Sequence, residues 1–276
     1  HMRHVQIWEG QESPFTRKQR KDVRRKTEMN YAIILAGGKG TRFGNKEIPK
    51  QFIELTSVPM LVYSMRTAQK NPNIDAICVV AAPAMHKQVR CWAAEYGITK
   101  FAYMAEAGKE RYNSVYNGLC AIPARRNDTV MIMTSVCPFV SQKTIDKHYK
   151  TIEKYDGVIT VVKATDAITF SNNGKCASRT LQKRRLFVQQ GPQTYRYGIL
   201  REAHEFYRAD DERTEIYEDS ELVLNLGMEI AMVMGDRFCV KITYPEDLAI
   251  AEALHPLFES SEREYRMEGA QNGSDH

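Results

Sequence analysis

Four glycines, Gly37, Gly38, Gly40 and Gly44, stand within eight residues, and two cations, Arg42 and Lys50, accompany them at a fixed spacing. An apolar run, Tyr31-Ala32-Ile33-Ile34-Leu35, leads directly into them. A buried strand that feeds a glycine-rich turn frees backbone N–H groups to face an anion, and flanking cations add charge to the cradle. The chemistry this suits is phosphate binding. The order of residues is neither the Gly-x-x-x-x-Gly-Lys-Ser/Thr of a P-loop nor the Gly-x-Gly-x-x-Gly of a dinucleotide fold.

The elements that must position this cradle are readable from periodicity. Strand-like runs recur at Ala32–Leu35, Ala76–Ala81, Thr129–Met133, Val158–Val162, Glu229–Val233 and Val240–Thr243. Between several of them lie helix-like segments: Met60–Lys70, Ala84–Tyr96, Tyr112–Ala121, Gln142–Tyr155, Tyr197–Tyr207, Ser220–Leu226 and Glu246–Ala253. Alternation of this kind predicts an α/β fold with a Rossmann-like, doubly wound and mostly parallel sheet. Ligands on such a sheet bind beyond the carboxyl ends of its strands, where the glycine turn falls. Residues 164–190 interrupt the alternation. Phe170-Ser171-Asn172-Asn173-Gly174-Lys175 reads as a turn between two short extended pieces, so a protruding β-hairpin arm is expected, of a kind that packs against a second copy.

Charge is unevenly spread over the 276 residues. Residues 1–28 hold eight Lys/Arg against four Asp/Glu, most of the net +5, and the body is close to neutral. This predicts a cloning remnant (His1-Met2) followed by a basic disordered tail or linker at 1–28. The globular domain then spans 29–258, and a polar, fraying tail runs over 259–276. Without a basic and aromatic stripe on the body, nucleic-acid binding is not expected. No apolar run reaches the 18 residues of a membrane span, and no secretory h-region opens the chain. Six scattered cysteines without a Cys-x-x-Cys pair suit reduced thiols in the cytoplasm.

Five blocks in order resemble the cytidylyltransferases that act on 2-C-methyl-D-erythritol 4-phosphate and ribitol 5-phosphate. They are Leu35–Phe52, Gly108–Val115 with Asn117-Gly118-Leu119, Ser135–Val140, Gln190–Tyr195, and Lys241-Ile242-Thr243 with Pro245–Leu248. The resemblance implies a fold of the nucleotide-diphospho-sugar transferase type and transfer of CMP from CTP to a polyol phosphate. It implies that backbone at Leu35, Ala36, Gly37, Gly38, Gly40 and Thr41 wraps the triphosphate, and that Gly108, Arg111 and Ser114 contact cytosine and ribose. Arg42, Lys50 and Lys241 would neutralise charge at the α-phosphate. Asp166 and Lys183 would bind the second substrate, Mg²⁺ would assist, and a homodimer would form through the arm. Leu35-Ala36-Gly37-Gly38 with Thr41-Arg42, and Ser135-Val136, lean toward the ribitol branch.

The resemblance departs at the metal positions. Where the family has His-Asp this chain has Met133-Thr134. The following arginine is Cys137, and a second metal aspartate and its neighbour are Phe238 and Cys239. Gly191 and Ala167 replace threonines, and Lys183 replaces an arginine. Asp236, two residues before Phe238, is the nearest substitute ligand, ahead of Asp166, Glu218 and Asp219. Three readings therefore stay open: a cytidylyltransferase acting on ribitol 5-phosphate, one with another acceptor such as methylerythritol 4-phosphate, or a catalytically impaired homologue serving as a nucleotide-binding or scaffold module in cell-surface polysaccharide synthesis. Ser114 is weighed equally as a helix cap, Asp236 as a turn residue, and Lys183-Arg184-Arg185 as a solvated charge run. His86, His148 and His204 are expected at the surface.

Overall fold

A computed structural model describes residues 28–38, 43, 49–210 and 215–273. The centre is a seven-stranded sheet. In chain order its strands are β1 (Asn30–Ala36), β4 (Ala76–Ala81), β5 (Phe101–Glu106), β6 (Thr129–Thr134), β7 (Gly157–Lys163), β10 (Phe187–Arg196) and β11 (Ile230–Met234). The spatial order is β11-β7-β10-β6-β1-β4-β5, and only β10 runs antiparallel to its neighbours. Two short pairs, β2 (Glu54–Leu55) with β3 (Val58–Pro59) and β8 (Thr169–Phe170) with β9 (Arg179–Thr180), stand apart.

The apolar runs of β1, β4 and β6 are buried on both faces because helices cover both sides of the sheet, the usual condition of parallel strands. Ala32, Ile34 and Ala36 meet Leu61 and Met65 of α1 (Met60–Lys70), Val89 of α2 (His86–Glu95) and Ile145 of α4 (Gln142–Ile152). The alternate residues Tyr31 and Ile33 meet Val115 and Leu119 of α3 (Arg111–Ala121), Leu200 of α5 (Tyr197–Ala209) and Val223 of α6 (Asp219–Asn225). From β1 the chain crosses to β4 on one side and later to β6 on the other. The carboxyl end of β1 is thus a topological switch point, the place where such sheets bind ligands.

Two strands escape the sequence reading. Edge strand β5 is half-exposed, and β10 carries glutamines and the pair Gly191-Pro192. The β7–β10 register breaks between Gln190 and Gln193, so the proline sits at an irregularity that tolerates a missing N–H. Conversely, Val240–Thr243 is not a strand. Its backbone link is the bond from Ile242 N to Val136 O, and the Ile242 carbonyl accepts Lys50 Nζ at 3.0 Å instead of a sheet partner. The expected arm is present: Thr169 pairs with Thr180 and Phe170 with Arg179 on an exposed hairpin.

The chain does not fray from Glu259. Helix α7 (Pro245–Gly273) continues through it, held by a third apolar cluster. Phe258 packs on Phe139 with ring centroids 5.0 Å apart. Glu262 is buried and accepts the Gln142 N–H, and the Tyr265 hydroxyl donates to Asp146 at 2.8 Å. Among the described residues no helix is long and apolar enough to cross a membrane. Of the basic segment 1–28 only Glu28 lies within the described residues, 3.6 Å from Arg196.

His148 and His204 are fully buried rather than at the surface, while His86 is half-buried. His148 falls on the inner stripe of α4 with Ile145, Tyr149 and Ile152. Thr160 spends its hydroxyl proton on Pro192 O, so it accepts from His148 Nε2–H at 2.8 Å; His148 Nδ1 then accepts from Thr194. Burial holds the imidazole neutral and pushes its pKa down from 6.5 to about 3, with the Lys147 charge adding to the effect. An unfolded chain protonates this histidine in that window and the folded chain does not. His148 therefore costs stability as pH falls below 6.5, by about 1.4 kcal/mol per pH unit. Urea unfolding of the wild type and His148→Gln across this range should give a slope shallower by that amount in the variant; equal slopes would refute the neutral buried state.

Candidate active site

The cradle is assembled by close backbone approaches. A Cβ on Gly37 would lie 2.2 Å from Ala107 Cβ, and one on Gly108 would lie 2.2 Å from Asn113 Cβ. Only glycine lets the exit of β1 and the start of α3 come this near. Gly108 N–H donates to Ser114 Oγ at 2.9 Å, and Ser114 Oγ donates to Glu110 O. Ser114 is not the cap of α3: Glu110 and Asn113 form the capping box. Leu35, Ala36, Gly37, Gly38, Gly108 and Ser114 therefore share one corner of the crevice. Gly40, Thr41 and Arg42 lie outside the described residues.

Carbonyls around the cradle are occupied. Ser135 donates to Leu35 O from both N and Oγ. Gln51, buried at 3 % exposure, donates Nε2 to Ala36 O at 2.7 Å and to Gly38 O at 3.0 Å. Three carbonyls of the turn, those of Leu35, Ala36 and Gly38, thus already have donors inside the protein. The clamp role of Gln51 escapes the sequence reading, although the residue sits beside Lys50 in the first block.

Beside this corner opens a cavity of about 590 Å³ at the carboxyl ends of β6 and β7. Arg111, Asp166 and Lys241 line it, together with Met133, Thr134, Cys137 and Cys239. Lys50 reaches the backbone next to Lys241 through Ile242 O. Arg111 is held by a network the sequence does not signal. Its Nη1 lies 2.5 Å from Asp219 Oδ2 and its Nη2 lies 3.1 Å from Glu218 Oε2. His204 donates to the other Asp219 oxygen at 3.0 Å. Gln193 donates to Glu218 and accepts from the Tyr195 hydroxyl. Burial alone would raise the Asp219 pKa; the Arg111 charge and the His204 hydrogen bond outweigh it and hold the carboxyl at about 2.

The other expected residues lie apart. Lys183 is exposed in a 3-10 turn with Arg184 and Arg185 on the return of the arm, and it does not line the cavity. Asp236 does not line it either. Its carboxylate accepts from Ser141 Oγ at 2.8 Å and from the N–H groups of Phe238 and Cys239, which makes it the anchor of a turn onto α4. Mg²⁺ takes hard oxygen ligands in octahedral array. The carboxylates at the cavity are Asp166 and Glu218, and Glu218 is committed to Arg111 and Gln193. Among the described residues no three His, Cys, Asp or Glu side chains come together as a metal site. The described residues thus form no all-protein cage for a magnesium ion, and Asp166 is the cavity carboxylate not tied to a cation.

A mostly parallel sheet with a glycine turn at the exit of its first strand and a cation-lined cavity at its strand ends is the arrangement of an α/β nucleotidyltransferase. Known proteins agree. Residues 30–255 match the model of the family 2-C-methyl-D-erythritol 4-phosphate cytidylyltransferase. The enzyme of that name from Geobacter metallireducens is 35% identical over 229 residues, covering 81% of this chain and 96% of its own length. Its counterpart from Geotalea uraniireducens is 36% identical over 224 residues, covering 80% and 94%. The crystal structure of 4-diphosphocytidyl-2C-methyl-D-erythritol synthase from Anaerococcus prevotii shares the fold, with a TM-score of 0.72 at 23% identity, covering 83% of this chain and 96% of that one. The chain belongs to the 2-C-methyl-D-erythritol 4-phosphate cytidylyltransferase family, a family of CTP-dependent enzymes.

Asp219→Asn removes the charge that Arg111 and His204 share. Arg111 keeps Glu218 and about a third of its side chain is exposed (32%), so the loss belongs at the low end for a broken buried pair, about 3 kcal/mol. Chemical denaturation should show that loss; an unchanged midpoint would show that the pair holds nothing.

Proposed function

We propose that this protein transfers CMP from CTP to the phosphate of a small polyol phosphate. The observation that carries the reading is a glycine turn whose Leu35, Ala36 and Gly38 carbonyls are already bonded, lying at the exit of β1 beside a cavity that Arg111 and Lys241 line. In this reading the acceptor's monoester oxygen bonds to the α-phosphorus of CTP as the bond to pyrophosphate breaks. The nucleophile is already anionic, so no base is needed, and the protein's work is alignment and charge neutralisation. Backbone at Leu35–Gly38, Gly40 and Thr41 holds the triphosphate. Gly108, Arg111 and Ser114 receive cytosine and ribose. Arg42, Lys50 and Lys241 meet the charge that develops at the α-phosphate.

Asp166 binds an acceptor hydroxyl, and Lys183 arrives from a second copy whose arm reaches across. Apolar side chains exposed on and beside the arm, Ile168, Phe170, Phe187 and Val188, support that homodimer. The relatives' names favour 2-C-methyl-D-erythritol 4-phosphate as acceptor. D-ribitol 5-phosphate is the second candidate, carried by Leu35-Ala36-Gly37-Gly38 and Ser135-Val136. All six cysteines are unpaired, which supports a cytoplasmic setting where CTP is at hand.

Pyrophosphate release from CTP should appear with one of these two acceptors in the presence of Mg²⁺ or Mn²⁺. Lys50→Ala or Lys241→Ala should each lower kcat/KM by roughly 10²- to 10³-fold, the usual loss of one charge-stabilising group. Calorimetric CTP binding without release from either acceptor would overturn transfer and leave a nucleotide-binding homologue. Absence of both binding and release would overturn the nucleotide reading itself.

A further inference from the structure

Two cysteines distant in sequence meet at the cavity. Cys137 follows β6 and Cys239 follows β11, and the two side chains line the same cavity and belong to the same apolar cluster. Both are unpaired, both line the cavity, and both are otherwise enclosed, at 3% and 8% exposure. Their loops are already tied by Ile242 N–H to Val136 O at 2.9 Å, and Cys239 Sγ lies 3.5 Å from Gly191 O. The neighbouring Cys239 thiol lowers the pKa of Cys137 against the effect of burial, and Lys241 and Lys50 lower it further. The other cysteines lack this setting. Cys78 is buried away from the cavity with its thiol pushed up to about 12, and Cys91, Cys120 and Cys176 are exposed.

We propose that Cys137 and Cys239 form an oxidative modification site, a dithiol that a hydroperoxide entering the cavity closes to a disulfide. A low-pKa thiol beside cations and a resolving thiol is the chemistry such oxidation selects. The Cys137 thiolate attacks one peroxide oxygen. The O–O bond breaks, leaving a sulfenic acid on Cys137 and a hydroxide that takes up a proton. The Cys239 sulfur then attacks the Cys137 sulfur, the S–O bond breaks, and the departing oxygen leaves as water with the Cys239 proton. Overall, two thiols and one hydrogen peroxide give one disulfide and two waters; sulfur is oxidised and oxygen reduced. The bond would lock the loop after β6 to the loop that carries Lys241. Access runs through the cavity, so a ligand in the cavity shields the pair. That last point alone rests on the nucleotide reading.

The test uses the full chain with the exposed cysteines replaced, Cys91→Ser, Cys120→Ser and Cys176→Ser, treated with hydrogen peroxide. Peptide mapping without reductant should show a Cys137–Cys239 link that dithiothreitol reverses. In the Cys239→Ala background, dimedone should capture Cys137 as a sulfenic acid, because no resolving thiol remains. Both residues staying free, or Cys137 passing to sulfinate without a link, overturns the proposal. With CTP at 100 times its dissociation constant, link formation should slow by up to about 100-fold, the fraction of chains left empty. A link that forms at the same rate with CTP supports the dithiol and overturns the nucleotide reading of the cavity.

Discussion

The Asp219 carboxylate has no exposed surface and remains ionised, and much of the site follows from what that requires. A buried charge must be paired and hydrogen-bonded or it neutralises itself. Arg111 supplies the opposite charge from α3 and His204 a donor from α5. Glu218, the residue before α6, and Gln193 on β10 extend the same network to the middle of the sheet. One carboxylate thereby fixes three helices to each other and fixes the angle at which a guanidinium meets the cavity.

The opposite wall depends on neutral groups. Glycines at 37 and 108 allow backbone to approach backbone, and Gln51 and Ser135 donate to the carbonyls of Leu35, Ala36 and Gly38. The two walls use different physics for one end. Charge placed at the cavity costs folding energy unless it is compensated, whereas oriented N–H groups carry no net charge to compensate. Between the walls, Cys137 and Cys239 add soft, polarisable groups where hard oxygen ligands would be needed for magnesium.

Much of the fold was legible. Ala76–Ala81 and Met60–Lys70 agree with the structure residue for residue: the first is a continuous apolar run of strand length, the second a longer segment with apolar residues at helical spacing. The arm was legible from its turn chemistry. β10 was not, since its glutamines serve a polar network and its Gly191-Pro192 sits at a register break. The continuation of α7 was hidden for a related reason: Glu262 and Tyr265 look like solvent-facing residues and are instead bonded to the Gln142 backbone and Asp146 on α4. The spacing of His148 from Ile145 and Ile152 marks it for the inner stripe of α4, whereas His204 is explained only by Asp219.

The sequence alone determined the fold class and the family, because these rest on local periods and an ordered series of blocks. It also named Arg111, Asp166 and Lys241, which line the cavity. Tertiary structure decided which of them share a wall. Asp236 reads as a ligand by alternation along a strand, but it lies in a turn and spends its oxygens on Ser141 and two N–H groups. Lys183 stays on the arm, away from the cavity. The thiol pair and the Asp219 network join residues far apart along the chain. A local pattern carries no record of such contacts, since they form only where separate crossovers bring strand ends and helix starts to the same edge of the sheet.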